Sequence, residues 1–264
     1  MTAMVVEMPA AGTEGERQSE LMHALAAVRS RLVAAAEAAG RNVGEIQLLP
    51  ITKFFPATDV AILSRLGCRA VGESREQEAA AKVVELARLC AVPLRAGSGG
   101  IQWHMVGRIQ RNKVRSLARW AHTAHSVDSA RLVTALERAV AAAQAERRRD
   151  GRLRVYVQVS LDGDPSRGGV DLNKPGAVDR ICAQVQQSQS LELVGLMGIP
   201  PLDWDPDRAY DRLQCEHARV LESFPTAVGL SAGMSGDLEI AVKHGSTCVR
   251  VGTALMGPRR LRSP

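Results

Sequence analysis

The chain has 264 residues, with 34 Lys and Arg against 28 Asp and Glu, 45% hydrophobic residues and only 3% aromatic ones. Its length suits one large α/β domain with a substantial core, and its net charge of +6 permits nucleic-acid binding without arguing for it. Basic residues are scattered, and the run Arg147-Arg148-Arg149 reads as a solvated helix end. No stretch approaches the roughly 18 apolar residues of a membrane span, so neither nucleic acid nor membrane is an expected partner.

The cysteines, Cys68, Cys90, Cys182, Cys215 and Cys248, are odd in number and contain no C-x-x-C pair. Most sit in apolar segments, a pattern of reduced, packed thiols in a cytoplasmic protein rather than a disulfide framework or a zinc site. Residues 1–15 lack both periodicity and a basic start followed by an apolar core. They read as a disordered tail, not a signal peptide, which leaves 16–264 as a single domain.

A long amphipathic helix is predicted over 16–39, with Leu21, Leu25, Val28 and Leu32 at helical spacing and Gly40 as its stop. Thereafter strands and helices alternate. Strands are predicted over 46–52, 69–72, 102–106, 122–127, 154–160, 193–197, 227–230 and 247–251. Helices are predicted over 57–66, 75–90, 111–118, 129–148, 175–187, 207–224 and 236–244. Eight strands interleaved with helices indicate an α/β fold, a single (β/α)8 TIM barrel rather than an open sheet, and no G-x-G-x-x-G fingerprint is present. Residues 254–264 are too few for a full eighth helix, so the extra N-terminal helix is expected to cover that gap.

Such barrels carry their chemistry at the C-terminal ends of the strands. Here polar residues collect at those ends: Lys53 after the first strand, Glu73-Ser74-Arg75 after the second, His104 within the third, Ser126 and Asp128 at the fourth. A polar loop, 160–169, follows the fifth. The last two strands end in corners rich in Gly and hydroxyl residues, Leu230-Ser231-Ala232-Gly233-Met234-Ser235-Gly236-Asp237 and Gly252-Thr253-Ala254. Two such corners side by side would hold one phosphate through free backbone N–H groups and close approach. Lys53 ends an apolar run and precedes Phe54-Phe55-Pro56, a hydrophobic setting that favours a neutral amine able to attack an aldehyde. A lysine at a strand end opposite a phosphate cradle is what a pyridoxal phosphate Schiff base requires.

Ser235 and Thr253 offer hydroxyls to a phosphate, with backbone donors at Gly236, Gly252 and Ala254; Ser235 also reads as the N-cap of the helix that follows. Arg250, in the middle of an apolar strand, needs a buried partner, either a pyridine nitrogen or a carboxylate such as Asp237. His104 is equally a structural hydrogen-bonder or a site residue. His122 and His125, three apart on a strand, should face opposite sides, so they make no metal pair. Asp162, Asp164 and Arg167 form a polar loop from which Arg167-Gly168-Gly169 is placed to reach over the site mouth, and Asn112 and Lys113 read as exposed helix-start residues.

Taken in order, Ile51-Thr52-Lys53, Val71-Gly72-Glu73-Ser74-Arg75-Glu76-Gln77-Glu78, Trp103-His104-Met105-Val106-Gly107, Gln110-Arg111-Asn112-Lys113, Gly195-Leu196-Met197-Gly198-Ile199-Pro200 and the stretch from Leu230 to Gly257 span nearly the whole chain. Through them the sequence resembles the pyridoxal phosphate homeostasis protein family. The resemblance implies a barrel of the alanine racemase N-terminal type, with pyridoxal 5'-phosphate as a Schiff base on Lys53. It further implies a monomer that carries or buffers this vitamin B6 cofactor inside the cell, passing it to apo-enzymes rather than turning over a substrate. The cofactor-binding residues it implies are Lys53, Ser74, His104, Met234, Ser235, Arg250, Gly252 and Thr253, with Ser235, Gly252 and Thr253 on the phosphate and Arg250 near the ring nitrogen. No catalytic residue and no metal are expected. The family usually has Gly-Glu-Asn where this chain has Gly72-Glu73-Ser74, and Gly198 and Met256 are also less usual.

The rival reading is a pyridoxal phosphate-dependent amino-acid racemase on the same barrel. It needs two bases on opposite faces of the cofactor, and barrel racemases are expected to take the second, a tyrosine, from a separate β-domain. This chain has only Tyr156, in a predicted strand, and Tyr210, in a predicted helix. A lysine aldolase without cofactor would not need the phosphate corners unless its substrate were phosphorylated.

Overall fold

The helical spacing of Leu21, Leu25, Val28 and Leu32 becomes one buried stripe of α1 (Glu14–Ala38) in the computed structural model, which describes residues 14–90 and 100–258. Of the tail predicted over 1–15, residues 1–13 lie outside the described residues, and Glu14 and Gly15 already belong to the helix. Alternation follows as predicted: β1 (Gln47–Pro50), α2 (Ala57–Arg65), β2 (Ala70–Glu73), α3 (Glu76–Cys90), β3 (Gln102–Met105), α4 (Val114–Trp120), β4 (Ala121–Val127) and α5 (Ala130–Ala145). The second half comprises β5 (Leu153–Ser160), β6 (Val170–Asp171), α6 (Ala177–Gln187), β7 (Leu191–Met197), α7 (Pro206–Ser223), β8 (Gly229–Ser231), α8 (Leu238–Lys243), β9 (Cys248–Val251) and α9 (Thr253–Met256). The two-residue β6 was not predicted; it pairs with β5 outside the main sheet.

The remaining eight strands are parallel and run β1-β9-β8-β7-β5-β4-β3-β2. The two ends meet where Ile51 bridges Gly72 and the Thr52 N–H donates to the Gly72 carbonyl at 3.0 Å, which makes the sheet a barrel. Helices cover the outer face, so strand residues are buried on both sides and read as nearly continuous apolar runs, as in Leu191–Met197. Among the described residues only the four-residue α9 follows β9, and α1 packs against α8, α9 and α2. Arg17 of α1 donates to Asp59 at 2.7 Å and to the Met256 carbonyl at 3.1 Å, tying α2 and α9 to one side chain.

Some boundaries move. The helix predicted over 111–118 opens as a 3-10 turn, Arg111–Lys113, before α4. The helix predicted from Gly236 starts only at Leu238, so Ser235 is not its N-cap. Between β3 and β4 the pairing steps from Trp103↔Ala121 to His104↔Thr123, which leaves His122 as an extra residue on β4. This bulge breaks the alternation assumed for the two histidines, and both pack on His104, with ring centroids at 6.0 Å for His122 and 5.1 Å for His125.

Strands β7 and β8 approach so closely at Gly195 (φ 153°) that a Cβ there would lie 1.7 Å from the Gly229 carbonyl oxygen. Gly195→Ala should therefore lower stability by about 3 kcal/mol or more. Gly100→Ala, where a Cβ meets nothing within 4 Å, serves as the control in paired thermal melts.

Candidate functional site

The chain leaves the barrel at Lys53, between β9 on one side and β2 on the other. The preceding residue is held rigidly from below. Thr52 Oγ1 donates to Glu73 Oε1 at 2.6 Å, and Lys82 Nζ, reaching in from α3, donates to Glu73 Oε1 at 2.6 Å and to the Thr52 carbonyl at 2.9 Å. Glu73 is fully buried, and its carboxyl sits above the ordinary carboxylate range because burial disfavours the anion, with Lys82 and Thr52 pulling the other way. Just after Lys53, Phe54 adopts φ 70°, uncommon for a bulky residue, and this turns the backbone sharply and leaves Lys53 half-buried at the rim.

The two corners follow β8 and β9, and β9 pairs with β1, the strand that leads to Lys53. Because Leu49 pairs with Arg250 and Pro50 with Val251, the chain emerges from β1 beside Gly252 and Thr253. The corner after β8 is a tight loop: the Met234 N–H donates to Asp237 Oδ1 at 2.6 Å, and Tyr210 of α7 donates to Asp237 Oδ2 at 2.8 Å. Gly233 (φ 89°) has no room for a side chain, since a Cβ would meet Ala241 Cβ at 2.6 Å. Ser235 Oγ accepts from the Ala254 N–H at 3.3 Å, which joins this corner to the one after β9. Ser235 thus bonds α9 rather than capping α8, and the Ala254 N–H predicted as a phosphate donor is engaged with it. From outside, Arg31 of α1 donates to the Ser235 carbonyl at 3.0 Å and pairs with Glu239 at 2.8 Å. Met234, Gly236 and Thr253 are exposed, and a Cβ on Gly236 would meet nothing within 4 Å, so the cradle opens to solvent.

Arg250 points into the barrel and is buried. Its Nη1 donates to Ser231 Oγ at 2.7 Å and its Nη2 to the Gly198 carbonyl at 3.1 Å; Asp237, the carboxylate named from sequence, is taken up by Tyr210 and Met234 instead. A Cβ on Gly198 would lie 2.7 Å from Leu213 Cδ2, the end of a flexible side chain. Ser231 Oγ lies 2.9 Å from His125 Nδ1, and His125 Nε2 lies 2.9 Å from His104 Nδ1. Burial pushes the His104 imidazole down to about 3 and His125 well below its ordinary value, with neighbouring positive charge adding to both, so both rings are neutral. His104 is therefore joined to Arg250 through two further side chains rather than lying at the rim. His104 Nε2 and Glu73 Oε2 are buried with no hydrogen-bond partner among the described residues.

Ser74 is half-buried, and Gly107 packs on its backbone so tightly that a Cβ would lie 2.1 Å from the Ser74 carbonyl oxygen. In the loop after β5, Arg167 donates to Asp162 at 3.0 Å and to the carbonyls of Ile199 at 3.1 Å and Pro200 at 2.6 Å, clasping this loop to the one after β7. Ser231, His125, Arg31 and Tyr210 were not picked out as site residues from sequence. Ser231 lay within the recognised corner, whereas nothing local marks Arg31 or Tyr210, whose partners are remote in the chain.

The fold is a (β/α)8 barrel of the alanine racemase N-terminal type, with Lys53 following β1 beside β9 and two glycine- and hydroxyl-rich corners following β8 and β9. The family model described as alanine racemase, N-terminal domain, matches residues 24–260. Over 249 residues the chain is 80% identical to the pyridoxal phosphate homeostasis protein of Mycobacterium tuberculosis (strain ATCC 25618 / H37Rv), covering 94% of this chain and 96% of that one. The chain belongs to the pyridoxal phosphate homeostasis protein family. It is similar in structure to PipY of Synechococcus elongatus PCC7942 with PLP bound, at TM-score 0.73 and 29% identity, over 90% of this chain and 100% of that chain. An alanine racemase from Corynebacterium glutamicum shares the fold alone, at TM-score 0.61 and 15% identity, over 92% of this chain and 62% of that chain.

The buried pair beneath Lys53 makes a pH-dependent prediction. The folded-state pKa of Glu73 lies above its unfolded value of about 4.3, so this carboxyl subtracts stability as pH rises through that window, and Lys82 limits the loss. Lys82→Met should cost about 3–5 kcal/mol at pH 7, where Glu73 would be left charged and unpaired, and less near pH 4, where Glu73 takes up a proton. Urea melts of parent and variant at the two pH values measure the difference.

Proposed function

We infer that this chain is a pyridoxal phosphate-binding protein that carries or buffers the cofactor, held as a Schiff base on Lys53. The observation that carries this reading is the placement of Lys53 beside two joined corners, Ser235 and Gly252-Thr253, at the C-terminal end of the barrel. The donor set suits the group: hydroxyls of Ser235 and Thr253 and small residues at Gly236 and Gly252 for a dianionic phosphate, an amine for the aldehyde, and a buried guanidinium for a ring nitrogen. Met234 would cover the phosphate corner, and Ser74, shorter than the family's usual Asn, would leave one hydrogen bond near the lysine to water. His104 would act from behind Arg250. Pyridoxal phosphate, when bound, supplies a reactive aldehyde and an electron-withdrawing ring.

A carrier role is supported by what the tyrosines do. Tyr156 is buried inside the barrel, its ring stacked 4.5 Å from His125, and Tyr210 is buried with its hydroxyl donated to Asp237, so both phenols are engaged in structural contacts. Burial raises both phenols above their ordinary value, which makes them poorer proton donors still. The open cradle suits exchange of cofactor with apo-enzymes, and no helix among the described residues is long and apolar enough to cross a membrane. We place the protein in the cytoplasm, as a monomer.

Borohydride reduction of the holoprotein should fix a pyridoxyl group on Lys53, read by peptide mass spectrometry, and the same preparation should show no appreciable turnover of alanine. Label chiefly on Lys113 or Lys243 would sink the assignment, and a turnover number of roughly 1 per second or more would favour the racemase.

Ser235→Ala and Thr253→Ala should each remove one charge-assisted hydrogen bond worth about 1.5–3 kcal/mol, weakening cofactor retention roughly 10- to 150-fold. The double variant should fall short of the product of the two effects, because the donors share one ligand group. Dialysis against a competing apo-enzyme, followed by the visible absorbance, measures retention.

A further inference from the structure

The middle of a parallel barrel is ordinarily filled by branched aliphatic side chains. In this one a polar column runs through it: His104, His125, Ser231 and Arg250, each no more than 5% exposed. The hydrogen bonds along the column constrain one another. A guanidinium only donates, so Ser231 Oγ must accept from Arg250. Ser231 Oγ also has a hydrogen bond with the Cys248 thiol and lies 2.9 Å from His125 Nδ1, and a neutral imidazole brings one donor and one acceptor. With Ser231 donating, His125 Nε2 donates to His104 Nδ1 and His104 Nε2 carries the remaining hydrogen. With the order reversed, His104 Nε2 is the bare acceptor. In both cases the open end of the column is His104 Nε2, and the anchored end is Arg250.

His125 is the stiff part of this column. Its ring is held by Tyr156, stacked at 4.5 Å and 25°, and by His104 behind it. Ser231 has a single side-chain rotor, and its oxygen is directed by that ring toward Nη1 of Arg250. The second anchor of Arg250, the Gly198 carbonyl, fixes Nη2 alone, and one hydrogen bond leaves a guanidinium free to swing. The column therefore gives the arginine the fixed heading that a lone serine or carbonyl would not.

We propose that His125 is a positioning residue that acts through the Ser231 hydroxyl to aim Arg250 at the ring nitrogen of bound pyridoxal phosphate. This rests on the reading of Arg250 as that nitrogen's partner. An arginine held in place donates to an unprotonated nitrogen and repels an added proton, so the ring stays neutral; an arginine that swings away leaves the nitrogen to water and to titration. The titratable and charged groups facing the column are His122, Arg154 and Tyr156 from β4 and β5, Cys248 from β9, and Tyr210 and Asp237 beyond Arg250.

The test uses the holoprotein and follows its visible absorption from about pH 5 to pH 8. The parent band should not move. His125→Phe, which keeps the ring's bulk, should acquire a pH-dependent band and retain cofactor about 5- to 50-fold less well, the loss expected for one buried hydrogen bond. His125→Asn, which restores a polar atom at the place of Nδ1, should recover the parent profile; a purely space-filling role would not distinguish Phe from Asn in that direction. Arg250→Gln separates the two layers. If it leaves the band unchanged, the reading of Arg250 fails; if it changes the band while His125→Phe matches the parent, the positioning role of His125 is overturned. Should His125→Phe not fold, Ser231→Ala removes the same link without added volume, and a parent-like profile and retention in that variant overturns the proposal equally.

Discussion

Closure of the barrel at β1 is the constraint on which the rest depends. A short strand, Gln47–Pro50, must pair with β9 along its length and reach β2 through Ile51 and Thr52. Only that double contact sets Lys53 next to Gly252 and Thr253, residues some two hundred positions away in the chain. Parallel strands have no edge to spare in such an arrangement, so a shift of β1 by one residue would move Lys53 out of register with Gly252 and Thr253 and turn Leu49 and Ile51 to the opposite face of the sheet. The glycine at position 72 belongs to the same constraint: a Cβ there would lie 2.5 Å from Ile51 Cδ1.

Charges buried in this barrel are tolerated because each is tied to backbone or to a partner. Lys82 meets Glu73 and the Thr52 carbonyl, and Arg250 meets a hydroxyl and a carbonyl. These are expensive groups to dehydrate, and apolar replacements of similar volume often serve stability as well or better. Their placement under Lys53 and beneath the cradle argues that they serve the geometry of the rim. Glu73 Oε2 and His104 Nε2, without a hydrogen-bond partner among the described residues, sit in the same two networks.

The N-terminal helix has a second role beyond covering the gap in the helical ring. It reaches the rim with two arginines, Arg31 on the Ser235 carbonyl and Arg17 on the Met256 carbonyl, so both corners are braced from outside the barrel. A cradle built on loops is thereby held to the rigidity of a long helix, while its open side remains exposed to solvent.

Much of this was legible in the amino-acid order, because it rests on local rules. Helical spacing in Leu21, Leu25, Val28 and Leu32, apolar runs bounded by turn residues, and Gly- and Ser-rich corners specified the elements, the barrel and the chain positions of Lys53 and the two corners at its C-terminal end. What the order of residues left open was decided by contacts between distant segments. The bulge at His122 depends on how β3 and β4 register, so alternation alone placed His122 and His125 wrongly. The partner of Arg250 had two candidates from sequence; packing of β8 against β9 handed it Ser231 and left Asp237 to Tyr210. Ser235, read as a cap of its own helix, bonds instead to the neighbouring corner. Sequence periodicity specifies which face a residue presents, whereas the identity of its partner is set only when strands close around a common core, and in this protein the polar column that carries Arg250 exists only after that closure.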